Sequence, residues 1–119
     1  VWVLGSRAAL VGWVVLIAWA SLAPPEEIPS GPAVSDKVVH ALGYAILGAL
    51  AVASGLRWPP AVLLAVGLGL LLEIAQRISG YRSFEWGDLA ADAIGALLGA
   101  LAMSLVARSW AARRGRTEG

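Results

Sequence analysis

Charged residues interrupt this chain in only a few places, and the gaps between them are of helix length. Residues 8–25 carry no charge over 18 positions, and residues 38–56 carry none over 19. Two later runs, 58–72 and 93–107, are charge-free for only 15 positions each. A helix that crosses a membrane needs about 20 mostly apolar residues. The pattern predicts an all-α fold, a polytopic membrane protein built as a four-transmembrane-helix bundle. Its helices are expected over 8–25, 38–56, 59–77 and 89–107, followed by a tail over 108–119 that is frayed and solvated from Arg113 to Gly119. To reach spanning length the third helix must run through Glu73 and Gln76, and the fourth must begin ahead of Asp92. Two carboxylates are thereby drawn towards the membrane.

The breaks between helices are marked by turn chemistry. Pro24, Pro25, Pro29, Gly31 and Pro32 cannot continue a helix and read as an exposed loop. Arg57-Trp58-Pro59-Pro60 reads as a tight turn whose prolines open the third helix. Ser79-Gly80 ends that helix, and Ser35 or Asp36 is suited to cap the second. The first run also has features of a secretory signal peptide, with Arg7 before the apolar stretch and Ser21-Leu22-Ala23 after it. Pro24 directly after Ala23 disfavours cleavage, so a retained first helix is the expectation.

Composition supports the membrane reading. Hydrophobic residues make up 59% of the 119 positions and charged residues 14%, with a mean hydropathy of +0.76. Soluble domains carry about 25% charged residues. The length allows a single domain, 1–119. A net charge of +1 with scattered basic residues argues against nucleic acid as a partner. With no cysteine and one histidine, a standard structural zinc site cannot be assembled, and no metal or cofactor is expected. Six basic residues (Arg7, Arg57, Arg108, Arg113, Arg114, Arg116) fall on the side of the termini, against Lys37, Arg77 and Arg82 on the other. The positive-inside rule then puts both termini in the cytoplasm. Trp58 and Trp110 would lie at the inner interface, Trp19 and Trp86 at the outer, and Trp13 between helices.

This topology gathers the unusual polar residues at one end. Asp36, His40 and Tyr44 follow at i, i+4, i+8 on one helix face, with Lys37 beside them. Glu73 and Gln76 are i, i+3, and Arg77 follows Glu73 at i+4. Asp88 and Asp92 are i, i+4, and their face continues through Gly95 and Gly99. An ionised side chain facing lipid costs at least about 2.5–3.5 kcal/mol at the helix centre. Glu73 and Asp92 should therefore point inwards, and the Gly95-x-x-x-Gly99 strip lets another helix approach closely. Arg82, then Lys37, are the expected partners of Asp92.

The motifs Ser21-Leu22-Ala23-Pro24, Asp36-Lys37-x-x-His40-x-x-x-Tyr44, Glu73-x-x-Gln76, Tyr81-Arg82-Ser83-Phe84 and Asp88-x-x-Ala91-Asp92-x-x-Gly95-x-x-x-Gly99 occur in an order and spacing that resemble the VanZ-like family. The resemblance covers residues 21 to about 100. Asp92 stands where the family pattern usually has asparagine. The family's founding member is associated with resistance to the glycopeptide teicoplanin, so the resemblance implies a bacterial cell-envelope context.

Three functions fit these residues. The first is binding of a membrane lipid headgroup or lipid-linked envelope precursor, with Lys37, Arg77 and Arg82 on phosphate and Tyr44 and Gln76 orienting the rest. The second is an intramembrane hydrolase or transferase. There His40 would be base or nucleophile, Asp36 or Asp88 its orienting carboxylate, and Glu73 the acid. The third is a cation site of Asp36, Glu73, Asp88 and Asp92. Against all three stands a structural polar network that fixes helix register, in which His40 bonds a carboxylate, Asp88 caps a helix and Tyr44 packs in the core.

Overall fold

The computed structural model describes residues 2–22, 36–80 and 86–118. Four helices fill them: α1 (Trp2–Leu22), α2 (Asp36–Ala53), α3 (Trp58–Ser79) and α4 (Trp86–Glu118). The proline-rich loop, the Ser35 cap and the Tyr81-Arg82-Ser83-Phe84 motif lie outside the described residues, as does the side chain of Asp36. Among the described residues there is no strand, and the fold is a helical bundle.

The helices differ from the charge-free runs at their ends, because a charge limits an apolar run without ending a helix. α1 begins at Trp2 and passes through Arg7, whose Nε donates to the Ser54 carbonyl at 3.1 Å. α2 stops at Ala53, three residues short of the expected end, where Gly55 takes φ +115°. The Gly55 N–H donates to the Val52 carbonyl and the Leu56 N–H to that of Ala51, a glycine-terminated helix end. α3 opens on its prolines and ends at Gly80, φ +80°, whose N–H returns to the Arg77 carbonyl. The frayed tail expected over 113–119 is a correction: α4 stays helical to Glu118. Ala107, Ala111 and Ala112 with their neighbouring arginines are strong helix formers, and positive charge suits a helix C-terminus.

α1, α3 and α4 contain segments long and apolar enough to cross a membrane: Val3–Leu22, Trp58–Ser79 and Trp86–Gly115. α2 has 18 residues, about 27 Å at 1.5 Å per residue, slightly under the ~30 Å hydrocarbon core. It touches all three other helices, whereas α1 and α4 do not meet. The core is small-residue and tight: Tyr44, Leu47, Ala65 and Ala96 form one cluster, and Ala51, Ala61 and Ala100 a second.

The most extensive contact is between α2 and α4. A Cβ at Gly95 would run into the Ala41 backbone carbonyl, and one at Gly99 into that of Ala45. Gly48 reciprocates from α2, where a Cβ would stand 2.5 Å from the Ala96 carbonyl oxygen. The expected glycine strip is thus present, and its partner is α2. α1 lies to the side, tied by the Trp13 indole N–H to the Gly43 carbonyl at 2.9 Å. Trp13 is half-buried between helices, while Trp19, Trp58, Trp86 and Trp110 are exposed.

Gly99→Val should therefore separate α2 from α4 and cost about 3 kcal/mol or more by overpacking. Gly67→Ala, where a Cβ meets nothing within 4 Å, should instead be neutral or stabilise by about 0.5–1 kcal/mol. Thermal melts of the two detergent-solubilised variants, followed by circular dichroism, check the contrast.

Candidate functional site

α2 starts, α3 ends and α4 starts at the same end of the bundle, and the polar side chains on their inner faces meet there. His40 is one turn into α2, while Glu73 and Asp92 each lie six residues from their helix ends. That depth is roughly 6–9 Å along the axes. Glu73 is 2% exposed and Asp92 is 1% exposed. Both are turned off the bundle surface, as the cost of exposing a charge to hydrocarbon requires.

The centre of the site is a pair. His40 Nδ1 lies 2.8 Å from Asp92 Oδ1, the length of a strong charge-assisted hydrogen bond. In the neutral ring Nδ1–H donates to the carboxylate, which fixes the tautomer and leaves the lone pair on Nε2. Glu73 joins them: one donor atom from each of His40, Glu73 and Asp92 lies within 4.8 Å of the others. Tyr44, one turn after His40, is 4% exposed and closes the floor. A Cβ at Gly69 would meet Asp92 Oδ2 at 2.9 Å and the Tyr44 hydroxyl at 3.5 Å. Only a glycine there lets the α3 backbone stand against both groups.

A second layer lies nearer the helix ends. Lys37 Nζ is 3.6 Å from Asp88 Oδ1, with the lysine side chain half exposed and the aspartate buried. That separation is an ion pair rather than a hydrogen bond, and Asp88 Oδ1 accepts no hydrogen bond among the described residues. Gln76, also 2% exposed, donates from Nε2 to the Ser21 carbonyl of α1 at 2.9 Å. Arg77 is exposed and lines an open apolar hollow with Leu70, Ile74, Ile78 and Trp86.

Several expectations are corrected by this geometry. Asp92 pairs with His40 and Lys37 with Asp88, because Lys37 and Asp88 both sit in the first turns of their helices while His40 and Asp92 are both a turn deeper. Among the described side chains the carboxylate on His40 is Asp92 rather than Asp88; the expected roles of Asp36 and Arg82 fall outside the described side chains. Gln76 turns to α1 rather than to the cluster. Among the described residues the group with ligand spacing is a mixed set in which His40 joins Glu73 and Asp92, while the expected four-carboxylate site includes Asp36, whose side chain lies outside them. Two participants were not anticipated, Gly69 and the Ser21 carbonyl. Gly69 precedes Glu73 by four residues and so shares its face, which was the available signal; a backbone acceptor leaves none.

Fold and site together define a helical membrane protein with ionisable groups buried inside its bundle. Residues 8–107 match the model of the VanZ/LLP1 family. The chain belongs to this VanZ-like family, and the resemblance of its motifs is confirmed over most of its length. No curated protein and no solved structure matches the chain.

Two substitutions test the central pair. Asp92→Asn keeps an acceptor for His40 and should cost little stability. Asp92→Leu strands a half-buried imidazole and should cost about 1–3 kcal/mol more. Melting temperatures of both variants in one detergent decide it; equal values would mean that the His40–Asp92 pair does not hold α2 to α4.

Proposed function

We propose that this VanZ-like protein binds the polar headgroup of a membrane lipid or lipid-linked cell-envelope precursor at the cluster end of its bundle. The observation that carries this reading is the layering of charge: the buried carboxylates of Glu73 and Asp92 and the half-buried His40 beneath a cationic rim. Lys37 and Arg77 at that rim suit phosphate, which guanidinium and ammonium groups recognise by charge-assisted hydrogen bonds. Arg82 belongs with them by its place in the sequence. Buried carboxylates beneath the rim suit the hydroxyls or amines of a glycosyl headgroup. The hollow of Leu70, Ile74 and Ile78 beside Arg77 supplies an apolar wall for a chain below a phosphate. Such binding at the outer face would alter susceptibility to glycopeptide antibiotics.

The orientation this requires follows the distribution of basic residues: both termini in the cytoplasm of a bacterium and the cluster end outside. Cysteine placed at Ser30 should react with an impermeant thiol reagent in intact cells, and cysteine at Thr117 should not. The reverse labelling would put the cluster on the wrong side for an outer-leaflet ligand.

One observation favours a second reading, an intramembrane hydrolase or transferase. His40 held through Nδ1 by a buried carboxylate is the base–orienter half of a catalytic template, with Glu73 placed as an acid. The two readings separate at His40→Gln. A binder should keep headgroup affinity within a few-fold, since glutamine retains hydrogen bonding. Acid–base chemistry should fall by about 10²–10⁴-fold. Native mass spectrometry of lipid retention, alongside turnover of a radiolabelled glycosyl-phosphate lipid, measures both.

A further inference from the structure

The three deepest groups of the cluster are an imidazole nitrogen and two carboxylates, brought from α2, α3 and α4 to within 4.8 Å of one another. With both carboxylates ionised and the imidazole neutral, the three donor groups bring two negative charges to one point, the charge that one divalent ion matches. The groups are also the right kind of ligand. Imidazole and carboxylate together suit a borderline first-row ion, and catalytic zinc sites take three protein ligands with a fourth position open.

From this donor set we infer that His40, Glu73 and Asp92 form a binding site for one divalent transition-metal ion, zinc by preference. The ion takes the place of the proton between His40 Nδ1 and Asp92 Oδ1, and the neutral ring passes to its other tautomer, with its one proton on Nε2. Zinc–ligand bonds of about 2.0–2.2 Å set donor atoms some 3.3–3.5 Å apart in a tetrahedron. The 2.8 Å pair opens slightly and Glu73 closes in, both within the reach of side-chain rotation. The arrangement around the triad fits such an ion in two further respects. Gly69 keeps the α3 wall clear of Asp92 Oδ2, where a Cβ would press to 2.9 Å. One turn before Asp92, on the same face of α4, Asp88 Oδ1 is buried and, among the described residues, accepts no hydrogen bond, with the Lys37 ammonium 3.6 Å away on the side of the helix ends. That oxygen is placed to accept from a metal-bound water, as outer carboxylates do at such centres. The position left open takes a water or a phosphate oxygen; only the phosphate alternative rests on the headgroup reading above.

The sequence makes the test clean, because His40 is its sole histidine and it has no cysteine. The full chain, purified in detergent with a histidine-free tag and stripped with chelator, is loaded with Zn²⁺ alone and desalted. Elemental analysis should find one zinc per chain and a raised melting temperature. The isosteric Glu73→Gln and Asp92→Asn variants should each bind at least tenfold more weakly. Copper substituted for zinc should give an electron paramagnetic resonance spectrum with coupling to one imidazole nitrogen, absent from His40→Gln. That signature reads the wild-type protein and holds even where a carboxylate variant fails to fold. Substoichiometric zinc in the wild type, equal binding by the folded variants, or copper without nitrogen coupling overturns the site. Retention of lipid by chelator-treated protein that takes up no zinc overturns this inference while leaving headgroup binding intact. Zinc bound stoichiometrically by a chain that retains no lipid supports it and removes the headgroup reading instead.

Discussion

The contact of α2 with α4 governs the rest of the bundle. Gly95 and Gly99 let the α4 backbone lie directly against the carbonyls of Ala41 and Ala45, and Gly48 does the same in return. Helix association inside a membrane gains little from burial of apolar surface, since lipid tails are as apolar as leucine, so close van der Waals packing has to hold the helices together. The glycines provide it. The same approach decides the chemistry: His40 immediately precedes Ala41, where the contact begins on α2, and Asp92 lies one turn before Gly95 on α4. Their 2.8 Å separation is a consequence of the backbone distance set below them.

Charge is sorted by depth around this contact. At the helix ends Lys37 faces Asp88, with the lysine half exposed and able to keep its ammonium hydrated. A turn deeper the basic partner is an imidazole, the basic group that costs least to bury because it can be neutral. An amide in place of the Asp92 carboxylate could accept the same hydrogen bond from His40. What aspartate adds is a negative charge beside Glu73. That addition makes the triad a donor set suited to an ion as well as a hydrogen-bond network.

α1 is peripheral to the site yet anchored at three levels. Arg7 reaches the Ser54 carbonyl, Trp13 the Gly43 carbonyl, and Gln76 comes across from α3 to the Ser21 carbonyl. Each bond links a side chain to a backbone carbonyl on another helix or, at Ser54, in the turn that follows α2. Such bonds hold α1 in register with α2 and α3 without the glycine packing that joins α2 to α4.

Hydropathy and the positions of proline and glycine were enough to determine four helices, the close-packing strip on α4 and the inward direction of Glu73 and Asp92. Those properties are local or follow from the solvent: helical period, backbone stiffness and the cost of a charge in hydrocarbon. They were also enough to place the polar residues at one end, since alternating helix directions bring the start of α2, the end of α3 and the start of α4 together. Helix ends were less legible, because Arg7 and the terminal arginines limit apolar runs without breaking a helix. Pairing was not legible at all. Whether Asp92 meets Lys37 or His40 depends on the relative height of α2 and α4, which the contacts at Gly48, Gly95 and Gly99 set. The approach of Gly69 and the diversion of Gln76 to Ser21 depend likewise on how the helices are rotated against one another. Spacing along one helix carries no information about that rotation, so only the tertiary structure decided it.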